Sequence, residues 1–160
     1  MRLHLPDVAA MDVLGERLAV SLPAPAVVYL QGDLGAGKST VARALLRALG
    51  VEGPIRSPTY TLVERYPVAG GEAWHLDLYR IGHAAELDFL GLDEAEVVLW
   101  LVEWPEKGPT GLPPADLRLE LESEGSGRRA TLTGISGRGM DWVDQLVADS
   151  QLRAFPAAFR

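Results

Sequence analysis

Tyr29-Leu30-Gln31-Gly32-Asp33-Leu34-Gly35-Ala36-Gly37-Lys38-Ser39-Thr40-Val41 runs from apolar residues through a glycine-rich turn to a lysine and two hydroxyls. From Gly32 to Ser39 it fits G-x-x-x-x-G-K-[ST] at every fixed position. From average composition such a match arises by chance in roughly one window in ten thousand, so it carries information. The residue types answer a chemical need. Glycines let the backbone curl until successive N–H groups face an anion. A helix opening at Lys38 adds its positive N-terminal end. Lysine brings a point charge to β- and γ-phosphates, and the Ser39 hydroxyl is a hard oxygen ligand for Mg²⁺.

The flanks give the motif its context. Ala26 to Leu30 is a short apolar run, as a buried parallel strand requires. Lys38 to Leu49 reads as a helix, with Val41, Leu45, Leu46 and Leu49 on one face and Gly50 as its stop. Upstream, Asp7 is placed to cap a first helix bearing Met11, Leu14 and Leu18, which Pro23 and Pro25 end. Downstream, Tyr60 to Tyr66 reads as a strand and Pro67 to Glu72 as a turn. In Ala73 to Tyr79, Trp74, Leu76 and Leu78 alternate with His75, Asp77 and Tyr79, so the segment reads as a strand. Residues 83 to 96 are acidic and read as one or two short helices, and Val97 to Glu103 as a second buried strand. Pro105 to Pro114 reads as a long loop. Leu117 to Glu122 and Arg129 to Thr133 flank Glu124-Gly125-Ser126-Gly127, a hairpin pattern, and Asp141 to Leu152 reads as a last helix. Strands alternate with helices until the late hairpin. The expected fold is therefore α/β, a three-layer P-loop NTPase-like domain over residues 1–160. Its sheet is expected to be mixed but largely parallel, with an antiparallel C-terminal hairpin.

Composition narrows the function. The 160 residues hold no cysteine, which removes disulfides and thiolate metal sites. The longest apolar run, Val97 to Val102, has strand length, far from the ~20 residues of a membrane span. The N-terminus lacks the apolar stretch of a signal peptide, so a cytoplasmic location is expected. The net charge of −7 argues against strong nucleic-acid binding by the chain alone. Arg128, Arg129, Arg138, Arg153 and Arg160 fall in the last third, but they are scattered.

A P-loop site needs an acid at the end of a neighbouring strand to hold Mg²⁺ or its waters. Glu103, after six apolar residues, fits that need, and Asp77 is the second candidate. His75 reads as structural and His83 as a surface residue or helix cap. Ser57-Pro58-Thr59-Tyr60-Thr61 stands where a nucleotide-sensing switch would sit. Glu86, Asp88, Asp93, Glu94 and Glu96 read as a solvated helix face, or as a surface for a basic partner. The chain has no asparagine, so the N-K-x-D guanine signature is absent, which favours ATP over GTP.

Gly32 to Thr40, Ser57-Pro58-Thr59-Tyr60-Thr61-Leu62-Val63-Glu64, His75-Leu76-Asp77-Leu78-Tyr79-Arg80 and Glu103-Trp104-Pro105-Glu106 together resemble the TsaE (YjeE) family. The likeness covers roughly residues 6 to 107, and the C-terminal third matches only in length and general pattern. It implies an ATP·Mg²⁺-binding protein with weak intrinsic ATPase activity. That activity would support threonylcarbamoyl transfer to adenosine 37 of tRNA by a TsaD–TsaB complex, with tRNA reached through those partners and no membrane involved. Carried over, Asp33, Gly35, Ala36, Gly37, Lys38, Ser39 and Thr40 bind the phosphates, and Ser39 and Glu103 hold Mg²⁺. Asp77 assists hydrolysis, Thr59 belongs to the switch, and Trp104 lies near the nucleotide. Ser39 departs from the more usual threonine, with the same ligating hydroxyl.

Two other readings share the loop. One is a small-molecule kinase, with Arg56, Arg65 and Arg80 as candidate phosphate ligands but no lid-like segment. The other is a non-catalytic binding module gated by nucleotide.

Overall fold

In the computed structural model, residues 1–81, 96–108 and 111–157 are described. Seven strands form one mixed sheet: β1 (Arg2–Leu5), β2 (Ala26–Gln31), β3 (Val63–Val68), β4 (Gly71–Asp77), β5 (Val97–Glu103), β6 (Leu117–Glu124) and β7 (Gly127–Gly134). Their spatial order is β1-β7-β6-β2-β5-β4-β3. The central strands β6, β2, β5 and β4 run parallel, while β7 and β3 flank them antiparallel. The described helices are α1 (Val8–Val20), α2 (Lys38–Ala48) and α3 (Gly137–Ala148). No helix among the described residues is long and apolar enough to cross a membrane.

The α/β class, the mixed sheet and the late hairpin are those expected from the sequence, and the reason is periodicity. In β2, Ala26, Val28 and Leu30 face the helices, and in β6 Leu117, Leu119 and Leu121 do so. These side chains share one core with Met11, Leu14 and Leu18 of α1, Val41, Leu45 and Leu46 of α2, and Trp142 and Leu146 of α3. A second, smaller cluster covers the opposite face, where Trp74, Leu76, Leu78 and Val102 pack with Ile81 and Leu112. Both faces of β4 and β5 are thus buried, as central parallel strands must be. Asp7 caps α1 by accepting from Ala10 N at 2.9 Å, as its place before the apolar pattern predicts.

Several boundaries differ from expectation. The strand expected from Tyr60 begins at Val63. Residues 58–61 instead form a helical turn, in which Leu62 N donates to Pro58 O at 2.9 Å. Leu62 closes that turn in the left-handed region, at φ 67°. The turn expected over Pro67 to Glu72 narrows to residues 69–70, because β3 and β4 pair out to Val68 and Gly71. The last helix begins at Gly137, four residues before the expected Asp141, because Ser136 caps it by accepting from Gly139 N at 3.0 Å. β1 was not expected at all. The acidic helices expected over 83 to 96, with His83, lie outside the described residues apart from exposed Glu96.

Candidate functional site

Side chains at the carboxyl ends of β2, β4 and β5 converge on one edge of the sheet, the usual ligand-binding edge of a parallel α/β sheet. After Gln31, the last residue of β2, the chain turns through the glycine-rich loop into α2. Gly32 has φ +146°, and a Cβ there would sit 2.4 Å from Leu121 O, so no other residue fits the turn. Gly37 has φ +105° and forms the N-cap of α2. Asp7 and Ser136 cap α1 and α3 with side-chain oxygens, whereas no side chain caps α2. The first-turn amides of α2 are therefore left with the unused donor capacity that an anion needs.

Lys38 is 5% exposed. Its Nζ donates to Gly32 O at 2.6 Å and to Asp33 O at 3.0 Å, folding the side chain back over its own loop. The ammonium also lies 4.6 Å from the centroid of the Trp104 ring. Burial pushes Lys38 below the usual lysine value, and the carboxylates of Glu103, Asp77, Asp33 and Glu106 partly oppose this.

Trp104 reaches Lys38 because its backbone turns left-handed, at φ 56°, straight after β5. Its ring also packs on Tyr79, with centroids 4.9 Å apart, and Lys107 Nζ lies 4.1 Å from the Tyr79 centroid. Aromatic faces and ammonium groups alternate along this edge, an arrangement that cation–π attraction stabilises.

Glu103 and Asp77 are the last residues of β5 and β4 and are directly opposite each other in register. Both are buried. Glu103 Oε2 meets His75 Nε2 at 2.7 Å. His75 Nδ1 is buried without a hydrogen-bond partner among the described residues, so its role is to hold this carboxylate. Asp77 Oδ1 accepts from Tyr79 N at 3.0 Å, and Asp77 Oδ2 lies 3.5 Å from the Thr59 hydroxyl. Thr59 also meets Ser57 Oγ at 2.6 Å. The left-handed residue Leu62 returns the chain from this turn to β4, since Asp77 N donates to Leu62 O at 3.0 Å.

Lys38, Trp104, Asp77, Glu103 and Thr59 are thus brought together, as are the loop residues Asp33, Gly35, Ala36 and Gly37. Ser39 stands beside Lys38 in the first turn of α2. Thr40, also in the first turn of α2, lines a surface groove between α1 and α2, with Asp12 and Arg43. The donor set suits Mg²⁺, because a hydroxyl and carboxylates are hard oxygens. Among the described residues no group of three or more His, Cys, Asp or Glu side chains could hold a metal by itself.

One residue escaped the sequence reading. Arg128 donates from Nε to Ala36 O at 3.0 Å and from Nη2 to Gly35 O at 3.1 Å. The expected strand began one residue later, at Arg129, so Arg128 fell outside it. Alternation with Ala130 and Leu132, extended one step back, would have put an arginine on the core face, which is an informative place for a charge. Three other arginines of the last third have different partners. Arg129 pairs with Glu122, Arg138 donates to Pro25 O and Arg153 to Val147 O.

The chain is similar to known proteins in sequence and in fold. Residues 5–131 match the family described as threonylcarbamoyl adenosine biosynthesis protein TsaE. A TsaE protein of Haemophilus influenzae is 38% identical over 147 residues, which cover 88% of this chain and 93% of the relative. One from Aquifex aeolicus is 41% identical over 111 residues, covering 68% of this chain and 77% of the relative. One from Streptomyces coelicolor is 37% identical over 138 residues, covering 80% and 93%. All three carry the name tRNA threonylcarbamoyladenosine biosynthesis protein TsaE. In fold, the chain is similar to the crystal structure of Bacillus subtilis YdiB, with a TM-score of 0.68, 22% identity and coverage of 92% and 94%. The glycine loop, the paired acids and these relatives lead to one conclusion: the chain belongs to the TsaE family of tRNA threonylcarbamoyladenosine biosynthesis proteins.

Proposed function

We propose that the protein binds ATP·Mg²⁺ at the Gly32–Ser39 loop and hydrolyses it, in support of threonylcarbamoyl transfer to adenosine 37 of tRNA by the TsaD–TsaB complex. One observation carries the reading. The buried ammonium of Lys38, the uncapped start of α2 and the register pair Asp77 and Glu103 share one sheet edge. That edge combines phosphate-binding donors with acids able to hold a metal and a water.

Roles follow from the chemistry. Loop amides and the start of α2 bind and orient the triphosphate. Lys38 exchanges loop carbonyls for phosphate oxygens and brings its charge to the transferring group. Ser39 and Glu103 would hold Mg²⁺, with His75 fixing the Glu103 carboxylate. The ion, when bound, would neutralise charge on the phosphate oxygens. Asp77, tethered to Thr59 and Tyr79 N, orients the attacking water. Trp104 lies over Lys38, beside the nucleotide. The acidic chain reaches tRNA through its partners, in the cytoplasm.

The test is phosphate release from ATP·Mg²⁺, by the protein alone and with purified TsaD–TsaB and tRNA. The expected result is slow release alone and faster release with partners. Phosphate moved to a small acceptor, or tight binding with no release even with partners, would overturn the reading.

A further inference from the structure

Arg128 is the one charged side chain that grips the phosphate loop from a strand of the sheet, among the described residues. It sits near the start of β7, opposite Leu5 of β1 and Ser123 of β6. Its alternation with Ala130 and Leu132, both buried in the main core, puts it on the helix face. A third bond, from Nη1 to its neighbour Gly127 O at 2.8 Å, fixes the guanidinium against its own strand. The remaining donors reach Ala36 O and Gly35 O.

Those two carbonyls belong to peptide units whose N–H groups are Gly37 N and Ala36 N. A trans peptide is planar, with its C=O and N–H pointing in opposite directions. Holding the oxygen on the β7 side therefore aims the amide away from β7. The unit ending at Ala36 is fixed at both ends, because Ala36 N also donates to Asp33 O at 3.0 Å. The unit ending at Gly37 is fixed by its oxygen, so the Gly37 amide likewise points away from β7. A charged donor on the oxygen also polarises the peptide and makes its N–H a stronger donor. The guanidinium reaches the two carbonyls from separate nitrogens held in one rigid plane, a fork that the shorter-headed, freely rotating ammonium of lysine lacks.

We infer that Arg128 is a positioning residue for nucleotide binding, which acts through the carbonyl oxygens of Gly35 and Ala36 rather than on the nucleotide itself. The inference rests on the proposed ATP·Mg²⁺ site. It makes the loop's amide cradle depend on a residue 92 positions away from Ala36.

The experiment compares wild type, Arg128→Gln and Arg128→Lys in the full chain at fixed ionic strength. Calorimetric titration with ATP·Mg²⁺ gives affinity, steady-state phosphate release gives kcat, and ¹⁵N-correlated NMR follows the Gly37 amide. Wild type must bind first: if it does not, the proposed function fails, whatever Arg128 does. If it binds, Arg128→Gln is expected to weaken affinity roughly tenfold, the worth of one charged hydrogen bond. Its kcat at saturation stays within about twofold, since the transferring group is untouched. The Gly37 amide resonance shifts in the free protein, and Arg128→Lys recovers only part of the affinity. Unchanged affinity in Arg128→Gln overturns the inference. If Arg128→Gln does not fold, Arg128→Lys decides: wild-type affinity overturns the inference, and weakened affinity with an intact fold supports it.

Discussion

Asp77 and Glu103 stand opposite each other as the last residues of two neighbouring parallel strands, both buried and both acting electrostatically on Lys38. Adjacent carboxylates repel, so the arrangement needs compensation. His75 holds one, Thr59 and Tyr79 N hold the other, and the Lys38 ammonium lies within the field of both. The division of partners supports the division of labour proposed above, with Glu103 at the metal and Asp77 at the water.

Asp77→Ala should leave ATP binding within a few-fold of wild type and slow hydrolysis roughly 100-fold, a usual cost of losing a group that handles a proton. Titration and phosphate release on the same preparation check this. Equal losses in both would make Asp77 a binding or structural residue instead.

His75→Ala should destabilise the fold by about 1–3 kcal/mol, because it strips the buried Glu103 carboxylate of its hydrogen-bond partner. Thermal unfolding at neutral pH reads this as a Tm lower by several degrees. A Tm within one degree of wild type, roughly, would mean that water or a rearranged side chain replaces the imidazole.

Gly15 lies where α1 meets α2. A Cβ there would be 2.6 Å from Ala44 Cβ, 2.7 Å from Val41 O and 2.9 Å from Leu45 N. Alanine gains about 1 kcal/mol of helix propensity, but backbone atoms cannot give way cheaply, and overpacking costs about 1–3 kcal/mol. Gly15→Ala should therefore lower the urea midpoint, with m unchanged. A raised midpoint would show that the two helices separate freely.

Lys38 gives the pH dependence. Burial lowers its folded pKa below the ordinary 10.5, so the folded chain releases this proton before the unfolded chain does. Between the lowered value and 10.5 the unfolded state holds more protons, and stability rises with pH there, relative to Lys38→Met. Nucleotide affinity moves the opposite way, because phosphate binding needs the ammonium. Titrations along a pH series should show affinity falling before the ordinary lysine range. A flat profile across that interval would mean that the ammonium contributes nothing to binding.

Much of this was legible in the sequence where one local pattern had one physical outcome. The glycine turn leading into α2, the apolar runs of β2 and β5 and the place of Glu103 at the end of β5 are as the sequence reads, because period and composition agreed. The remainder depended on contacts made far away in sequence. β1 is only four residues long and forms because β7 offers it an edge. The expected last helix started at Asp141, past the glycines of the first turn of α3, yet Gly139 is required there, since a Cβ would fall 1.7 Å from Asp116 O. Tyr60 looked like a strand residue, but it belongs to the turn that Leu62 closes. His75 and Arg128 declared themselves only through their partners Glu103, Gly35 and Ala36.

Calorimetric titration of wild type and Lys38→Ala with ATP, in Mg²⁺ and again in EDTA, shows whether the Gly32–Ser39 loop binds the nucleotide. Wild type is expected to bind saturably at one site, more weakly without the metal, and Lys38→Ala is expected to lose binding. Equal affinity in the two proteins, or no binding by wild type, would contradict this expectation.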